Sequence, residues 1–196
     1  MPGYHFVNLR VLVLDPNRHV QRLFSAVLQA FGCRWVRTVA NPVEAWRTLM
    51  DFPADIAICE WRQAPGEASC RDFVKRLRTD PYSPNPQLPV IVSTAAARPE
   101  DVTEARDAGM TEFLAKPFTA GALYRRLGAI IDEPREFVLE RSYTGPDRRR
   151  KRAPPPDGSG RRAGEVAGAD TRPNLKNLKS LFALADAFND KDGKPS

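Results

Sequence analysis

The stretch LRVLVLDPNRHVQRLFSAVLQAFG (9–32) joins two patterns that decide the fold. Its first part, residues 9–15, is almost continuously apolar and ends in Asp15, which is typical of a strand buried on both faces. The second part repeats apolar residues at intervals of three and four, which predicts an amphipathic helix that ends at Gly32. The predicted apolar face of this helix consists of Val20, Leu23, Phe24, Val27, Leu28 and Phe31.

The same alternation of a short apolar run and a helical segment recurs as far as about residue 132. Asn41, followed by Pro42 and Glu44, predicts the start of the second helix, and Thr119 that of the last. Five strands alternating with five helices predict an α/β, flavodoxin-like, doubly wound parallel sheet with strand order 2-1-3-4-5 in a domain over residues 1–133. The further apolar runs are RWVRTVA (34–40), ADIAICE (54–60), PVIVST (89–94) and TEFLAKP (111–117).

The composition changes after residue 133. Residues 134–173 are rich in Pro, Gly and Arg, which predicts a disordered linker. Residues 174–189 recover an apolar stripe and predict an amphipathic helix that needs a docking partner, because an isolated helix of this length is marginally stable. Residues 190–196 are predicted to be a disordered end.

The net charge of +6 is concentrated in one segment. Residues 141–162 carry eight basic and two acidic residues, so a basic face on the predicted domain is excluded. Three interpretations of this basic tail stay open: a solvated linker, a site for nucleic acid or anionic lipid, and a docking site for an acidic protein. The central run of the tail is Arg148, Arg149, Arg150, Lys151 and Arg152.

The sequence predicts a cytoplasmic protein. No apolar run approaches the roughly 18 residues needed to cross a bilayer, and the first residues do not have the pattern of a signal peptide. The three cysteines form an odd set without metal-type spacing, which argues against a disulfide framework or a zinc site.

Four polar residues end four of the predicted strands: Asp15, Glu60, Thr94 and Lys116. A polar residue often marks only the end of a strand. However, the carboxyl ends of parallel strands share one edge of the sheet, so four residues of complementary type predict one shared crevice. The chain has no Ser-His-Asp elbow and no Gly-rich phosphate loop, so we do not expect an enzyme.

Four stretches resemble the CheY-like receiver domain of bacterial two-component response regulators, over about residues 9–132. They are VLVLDPNRHVQRLF, PADIAICEW, LPVIVSTA and ARDAGMTEFLAKPF. PREFVLERSYTGPDRRR (134–150) is similar to a tail on a group of bacterial receiver proteins without an output domain. The resemblance implies phosphorelay signal transduction, with a histidine kinase or a downstream signalling protein as partner.

The resemblance also implies roles for single residues. In the family, an aspartate after strand 3 accepts a phosphoryl group, two acids after strand 1 help to hold Mg²⁺, and a Ser/Thr and a Lys contact the phosphoryl group. Here Glu60 stands at the phosphoacceptor position and Pro16 replaces the second acid. Thr94, Lys116 and the switch aromatic, Phe113, match the family pattern.

The two departures weaken the family's chemistry. Pro16 removes one oxygen ligand, so we expect Asp15 and Glu60 to bind Mg²⁺ weakly or not at all and no cofactor to be required. Glu60 carries its carboxylate about one C–C bond further than Asp, and phosphoryl transfer depends on positioning. The longer side chain can instead reach Lys116 or Thr94. We therefore predict a pseudo-receiver that acts by protein–protein interaction; residual phosphorylation, or a scaffold for the basic tail, remain as alternatives.

Overall fold

The computed structural model describes residues 6–61, 69–95, 98–140 and 143–147. Within these ranges five parallel strands form one sheet in the order β2-β1-β3-β4-β5, which confirms the predicted topology. The strands are β1 Arg10–Leu14, β2 Trp35–Val39, β3 Ile56–Glu60, β4 Val90–Thr94 and β5 Glu112–Ala115. The helices between them are α1 Arg18–Ala30, α2 Pro42–Asp51, α3 Cys70–Thr79, α4 Pro99–Ala108 and α5 Ala120–Asp132.

Helices cover both faces of the sheet. Because successive side chains of a strand point to opposite faces, Leu12 and Leu14 pack with α2, α3 and α4, whereas Val11 and Val13 pack with α1 and α5. The central strands are therefore buried on both sides, which explains their continuous apolar runs.

The predicted helix boundaries have the expected chemistry. Asn41 Oδ1 accepts a hydrogen bond from the Glu44 amide at 2.9 Å, and Thr119 Oγ1 accepts one from Ala122 at 3.1 Å. Gly32 has a φ of +90°, which a glycine adopts without strain. Of the predicted apolar face of α1, Leu23 is an exception, because its exposed fraction is 51%.

A hairpin follows α5 and corrects the prediction of a disordered linker from residue 134. Strands β6 Phe137–Glu140 and β7 Tyr143–Pro146 pair antiparallel, and the amide of Asp147 donates to the carbonyl of Glu136 at 2.7 Å. Short segments of this kind become stable by docking, here with Phe137 against Arg78. The ordered unit thus extends beyond residue 133, to at least Asp147.

The remaining predictions for the tail lie outside the described residues. These are the linker after residue 147, the basic run 148–152, the helix over 174–189 and the end over 190–196. In the part of the chain that the structure describes, no helix combines the length and apolarity needed to cross a membrane.

Candidate functional site

The carboxyl ends of β1, β3 and β5 bring three of the predicted site residues together. Asp15 follows β1, Glu60 is the last residue of β3, and Lys116 follows β5. All three occupy the alternate positions that face α1 and α5, in line with Val13 and Ile58. One edge and one face of the sheet therefore place these side chains in a common crevice.

Lys116 bridges the two carboxylates. Its ammonium nitrogen lies 2.6 Å from Asp15 Oδ2 and also donates a hydrogen bond to Glu60 Oε2. The side chains of Lys116, Asp15 and Glu60 are 13%, 3% and 12% exposed. Solvent screens such a cluster less than it screens a surface ion pair, so these contacts are stronger than those of exposed charges.

Asp15 is further fixed by the turn into α1. Its Oδ1 accepts a hydrogen bond from the Asn17 amide at 2.8 Å, and Asn17 in turn caps α1 through the His19 amide at 2.9 Å. The Gln21 side chain donates to the carbonyls of Asp15 and Val39, at 2.6 and 3.1 Å. The carboxylate of Asp15 is thus held between the helix start and Lys116.

The structure places the other predicted site residues around this crevice. Thr94 is buried at the end of β4, and its carbonyl accepts a hydrogen bond from the Lys116 amide at 2.8 Å. Phe113 packs against the α2–α4 side of the sheet, on the opposite face from Lys116. Pro16 is exposed and offers no side-chain oxygen.

Two neighbours of the crevice were missed by sequence reasoning. Ser93 is opposite Glu60 in the β3–β4 register, and its buried hydroxyl has no hydrogen-bond partner among the described residues. Phe24 places its ring 6.0 Å from the Lys116 ammonium and stacks on Phe118 at 4.6 Å. A signal for Ser93 was available, because it interrupts the apolar residues of PVIVST.

The donor set fits a divalent cation poorly. Mg²⁺ prefers six oxygen ligands in octahedral geometry. Lys116 occupies one oxygen of Asp15 and one of Glu60, and the Asn17 amide takes the other oxygen of Asp15. Among the described residues, no group of three or more His, Cys, Asp or Glu side chains is arranged to hold a metal ion.

Comparison with known proteins identifies the family of this fold. The chain is 28% identical over 125 residues to the chemotaxis protein CheY-3 of Vibrio cholerae, a match that covers 64% of this chain and 93% of that protein. The structure of CheY4 from Vibrio cholerae is 26% identical and has a TM-score of 0.56 over 62% of this chain and 98% of that one.

A third similar protein is the receiver domain of the sensor histidine kinase PA1611 from Pseudomonas aeruginosa, which has a magnesium ion coordinated in its active-site cleft. It is 28% identical and has a TM-score of 0.53 over 61% of this chain and 93% of that one. Residues 11–128, more than half of the chain, match the response regulator receiver domain family, and the chain therefore belongs to that family.

Proposed function

We propose that this chain is a pseudo-receiver of two-component signalling, with Glu60 in place of a phosphoacceptor. Receiver domains act in signal transduction, and this chain has the receiver fold. The observation that carries the proposal is the contact between Lys116 and both Asp15 and Glu60. The site is internally paired, so it resembles a receiver held in one signalling state.

Glu60 substitutes for a phosphoryl group only in part. A phosphoryl group carries about two negative charges at neutral pH, whereas the Glu60 carboxylate carries one. Its extra methylene group nevertheless brings a carboxylate oxygen to Lys116, the residue that pairs with the phosphoryl group in the family. Phosphorylation is therefore not needed to give Lys116 an anionic partner in this crevice.

The same contacts oppose phosphorylation. Transfer to Glu60 would require its carboxylate to leave Lys116 and to attack in line, and positioning is the main source of catalysis in phosphoryl transfer. Pro16 removes a charge that would help to hold Mg²⁺ beside Asp15. We propose that the protein requires no cofactor and that Mg²⁺ binds weakly or not at all.

The proposed mode of action is protein–protein contact rather than catalysis. A histidine kinase or a downstream signalling protein is the class of partner that the family implies. The partner would recognise the fixed state of the fold instead of a cycle of phosphorylation and dephosphorylation.

The basic tail supports a second candidate function. Residues 148–152 carry five consecutive basic residues directly after the docked hairpin, which favours an anionic partner such as nucleic acid or a lipid surface. The test measures binding of an anionic partner by the full chain and by a chain that ends at Asp147 and therefore keeps the hairpin. Binding that is lost with the tail and falls steeply with salt would favour this candidate over the receiver surface.

The decisive experiment is incubation of the full chain with acetyl phosphate and Mg²⁺, followed by intact mass spectrometry. We expect no phosphoryl adduct on the wild-type protein or on the matched control Glu100→Asp, which makes the same change at an exposed position. The double variant Glu60→Asp/Pro16→Asp should show a single phosphoryl adduct. In Glu60→Asp alone, a smaller fraction of the molecules should carry it. A stable adduct on Glu60 of the wild-type protein would contradict the proposal.

A further inference from the structure

Strand β5 is short, lies at the edge of the sheet, and is held by side chains at both ends. It has four residues and, in the described part of the chain, pairs with β4 alone. At its beginning, Glu112 accepts from the guanidinium groups of Arg126 and Arg135, each at 3.0 Å. Immediately after its end, about 13 Å away at 3.3 Å per residue, Lys116 enters the crevice. Because no second strand among the described residues flanks β5, these end contacts add to the pairing with β4 and to the buried Leu114 in fixing its position.

The first end of β5 is connected to the C-terminal hairpin. Arg135 lies just before β6, so its bond to Glu112 ties the hairpin to β5 directly. Arg126, from α5, shares the same buried carboxylate. The segment that leads into the hairpin thus provides one of the two cations that surround Glu112.

A buried arginine forms the second connection. Arg78 of α3 is 4% exposed and donates hydrogen bonds to the carbonyls of Gly109, Leu88 and Pro86, at 2.9, 2.8 and 2.7 Å. The ring of Phe137 lies 5.0 Å from its guanidinium carbon, in the range of a cation–π contact. Burial lowers the pKa of Arg78 to about 10, so the side chain remains charged at neutral pH.

Glycines allow the hairpin to approach the segment between α4 and β5. Gly109 ends α4 with a φ of +99°, and a Cβ atom there would lie 3.2 Å from the Thr144 carbonyl of β7. A Cβ atom on Gly145 would lie 3.0 Å from the Gly109 Cα and 2.5 Å from the Tyr143 hydroxyl. The backbone of β7 is therefore packed directly on the turn that leads into β5.

We propose that the β6–β7 hairpin is a conformational strap whose docking is energetically coupled, through β5, to the ion pairs of Lys116. Release of the hairpin would loosen Glu112 and the Gly109 turn, and with them the strand that carries Lys116. Coupling of this kind is reciprocal, so loss of the Lys116 contacts would also loosen the hairpin. The proposal does not depend on whether Glu60 accepts a phosphoryl group.

Hydrogen exchange of the full chain tests the strap without any phosphodonor. Gly145→Ala should release the hairpin, and the matched control is Gly121→Ala, whose Cβ atom would lie 3.6 Å from its nearest neighbour, Arg125. The Asp147 amide, bonded to Glu136, reports the pairing of the hairpin arms, which an undocked two-stranded hairpin would largely lose. The Lys116 amide, bonded to Thr94, reports the far end of β5.

The Asp147 amide should exchange faster in Gly145→Ala. The exchange of the Lys116 amide should also accelerate, by about 5- to 150-fold, the usual range of coupling between sites. The control should exchange like the wild type at both amides. In the reciprocal experiment, Lys116→Met should accelerate the Asp147 amide.

Two outcomes would overturn the proposal. One is an Asp147 amide that is accelerated while the Lys116 amide keeps its wild-type rate. In the other, the Asp147 amide stays protected in Gly145→Ala and also in Arg135→Met. The second variant removes the contact between Arg135 and Glu112. The amide of Cys33, which is bonded to the Leu28 carbonyl beside the opposite edge strand and has no contact with Lys116, reports global unfolding. If it accelerates to the same extent in Gly145→Ala, that variant has unfolded globally and Arg135→Met provides the comparison.

Discussion

The ammonium of Lys116 lies 2.6 Å from the carboxylate of Asp15, a residue 101 positions earlier in the chain. The same ammonium contacts Glu60, so a single cation joins the ends of three strands. Because these side chains are largely removed from solvent, removal of one partner would leave an unpaired charge in the crevice.

Lys116→Met should destabilise the protein by about 2–4 kcal/mol at pH 7, because it leaves two partly buried carboxylates without their shared cation. Urea unfolding followed by circular dichroism measures the change. Lys75→Met removes an exposed lysine and should change stability by less than about 0.5 kcal/mol. Equal effects of the two substitutions would contradict a structural role for the Lys116 contacts.

Arg78→Met should cost about 3–5 kcal/mol, because the carbonyls of Gly109, Leu88 and Pro86 would lose their donor. Arg78→Lys should recover little of this stability, since an ammonium lacks the planar fork of donors. The control is Arg71→Met, at a side chain that is 47% exposed and 3.9 Å from Glu104, with an expected cost below about 0.5 kcal/mol. Chemical unfolding of the three variants decides the prediction.

Gly109→Ala should destabilise the protein by about 1–3 kcal/mol, because the residue has a φ of +99° and an added Cβ atom would crowd Arg78 and Thr144. Thermal unfolding should show a lower midpoint than in the wild type. Gly121→Ala, in the first turn of α5, has room for the Cβ atom and should be neutral or slightly stabilising. A neutral Gly109→Ala variant would show that this turn adapts more easily than its contacts indicate.

The thiol of Cys33 should make stability depend on alkaline pH. Burial raises the pKa of Cys33 from 9.0 to about 12, so between these values the folded state keeps a proton that the unfolded state loses. The free energy of unfolding should therefore fall with rising pH, by at most about 1.4 kcal/mol per unit from this group. In Cys33→Val the free energy of unfolding should fall less steeply with pH than in the wild type. Identical slopes of this free energy for the two proteins between pH 9 and 11 would contradict the prediction.

The sheet and much of the crevice could be predicted from the sequence because both follow from local patterns. Continuous apolar runs between helical segments define a parallel sheet covered on both faces, and parallel strands present their carboxyl ends at one edge. This reasoning placed Asp15, Glu60 and Lys116 together. From the sequence, either Lys116 or Thr94 could be the contact of Glu60. In the structure, Glu60 contacts Lys116.

The hairpin could not be predicted, because its stability depends on residues far from it in the chain. FVLE and YTGP are too short to indicate a buried sheet by themselves, and charged residues and Pro surround them. Their docking depends on the ring of Phe137 over Arg78 and on the bare backbone at Gly109. One signal was present: Arg78 follows Leu77 on the apolar stripe of α3, where an arginine must find buried acceptors.

The docked hairpin also decides where the rest of the chain starts. Asp147 is bonded to Glu136, beside the hairpin's contacts with Gly109 and Glu112, at the amino-terminal end of the strands, whereas Lys116 lies at the carboxyl-terminal end. Asp147, where the later segment begins, and the crevice thus lie at opposite ends of the sheet. A protein bound over the crevice would therefore leave Asp147 and the adjoining face of the hairpin uncovered.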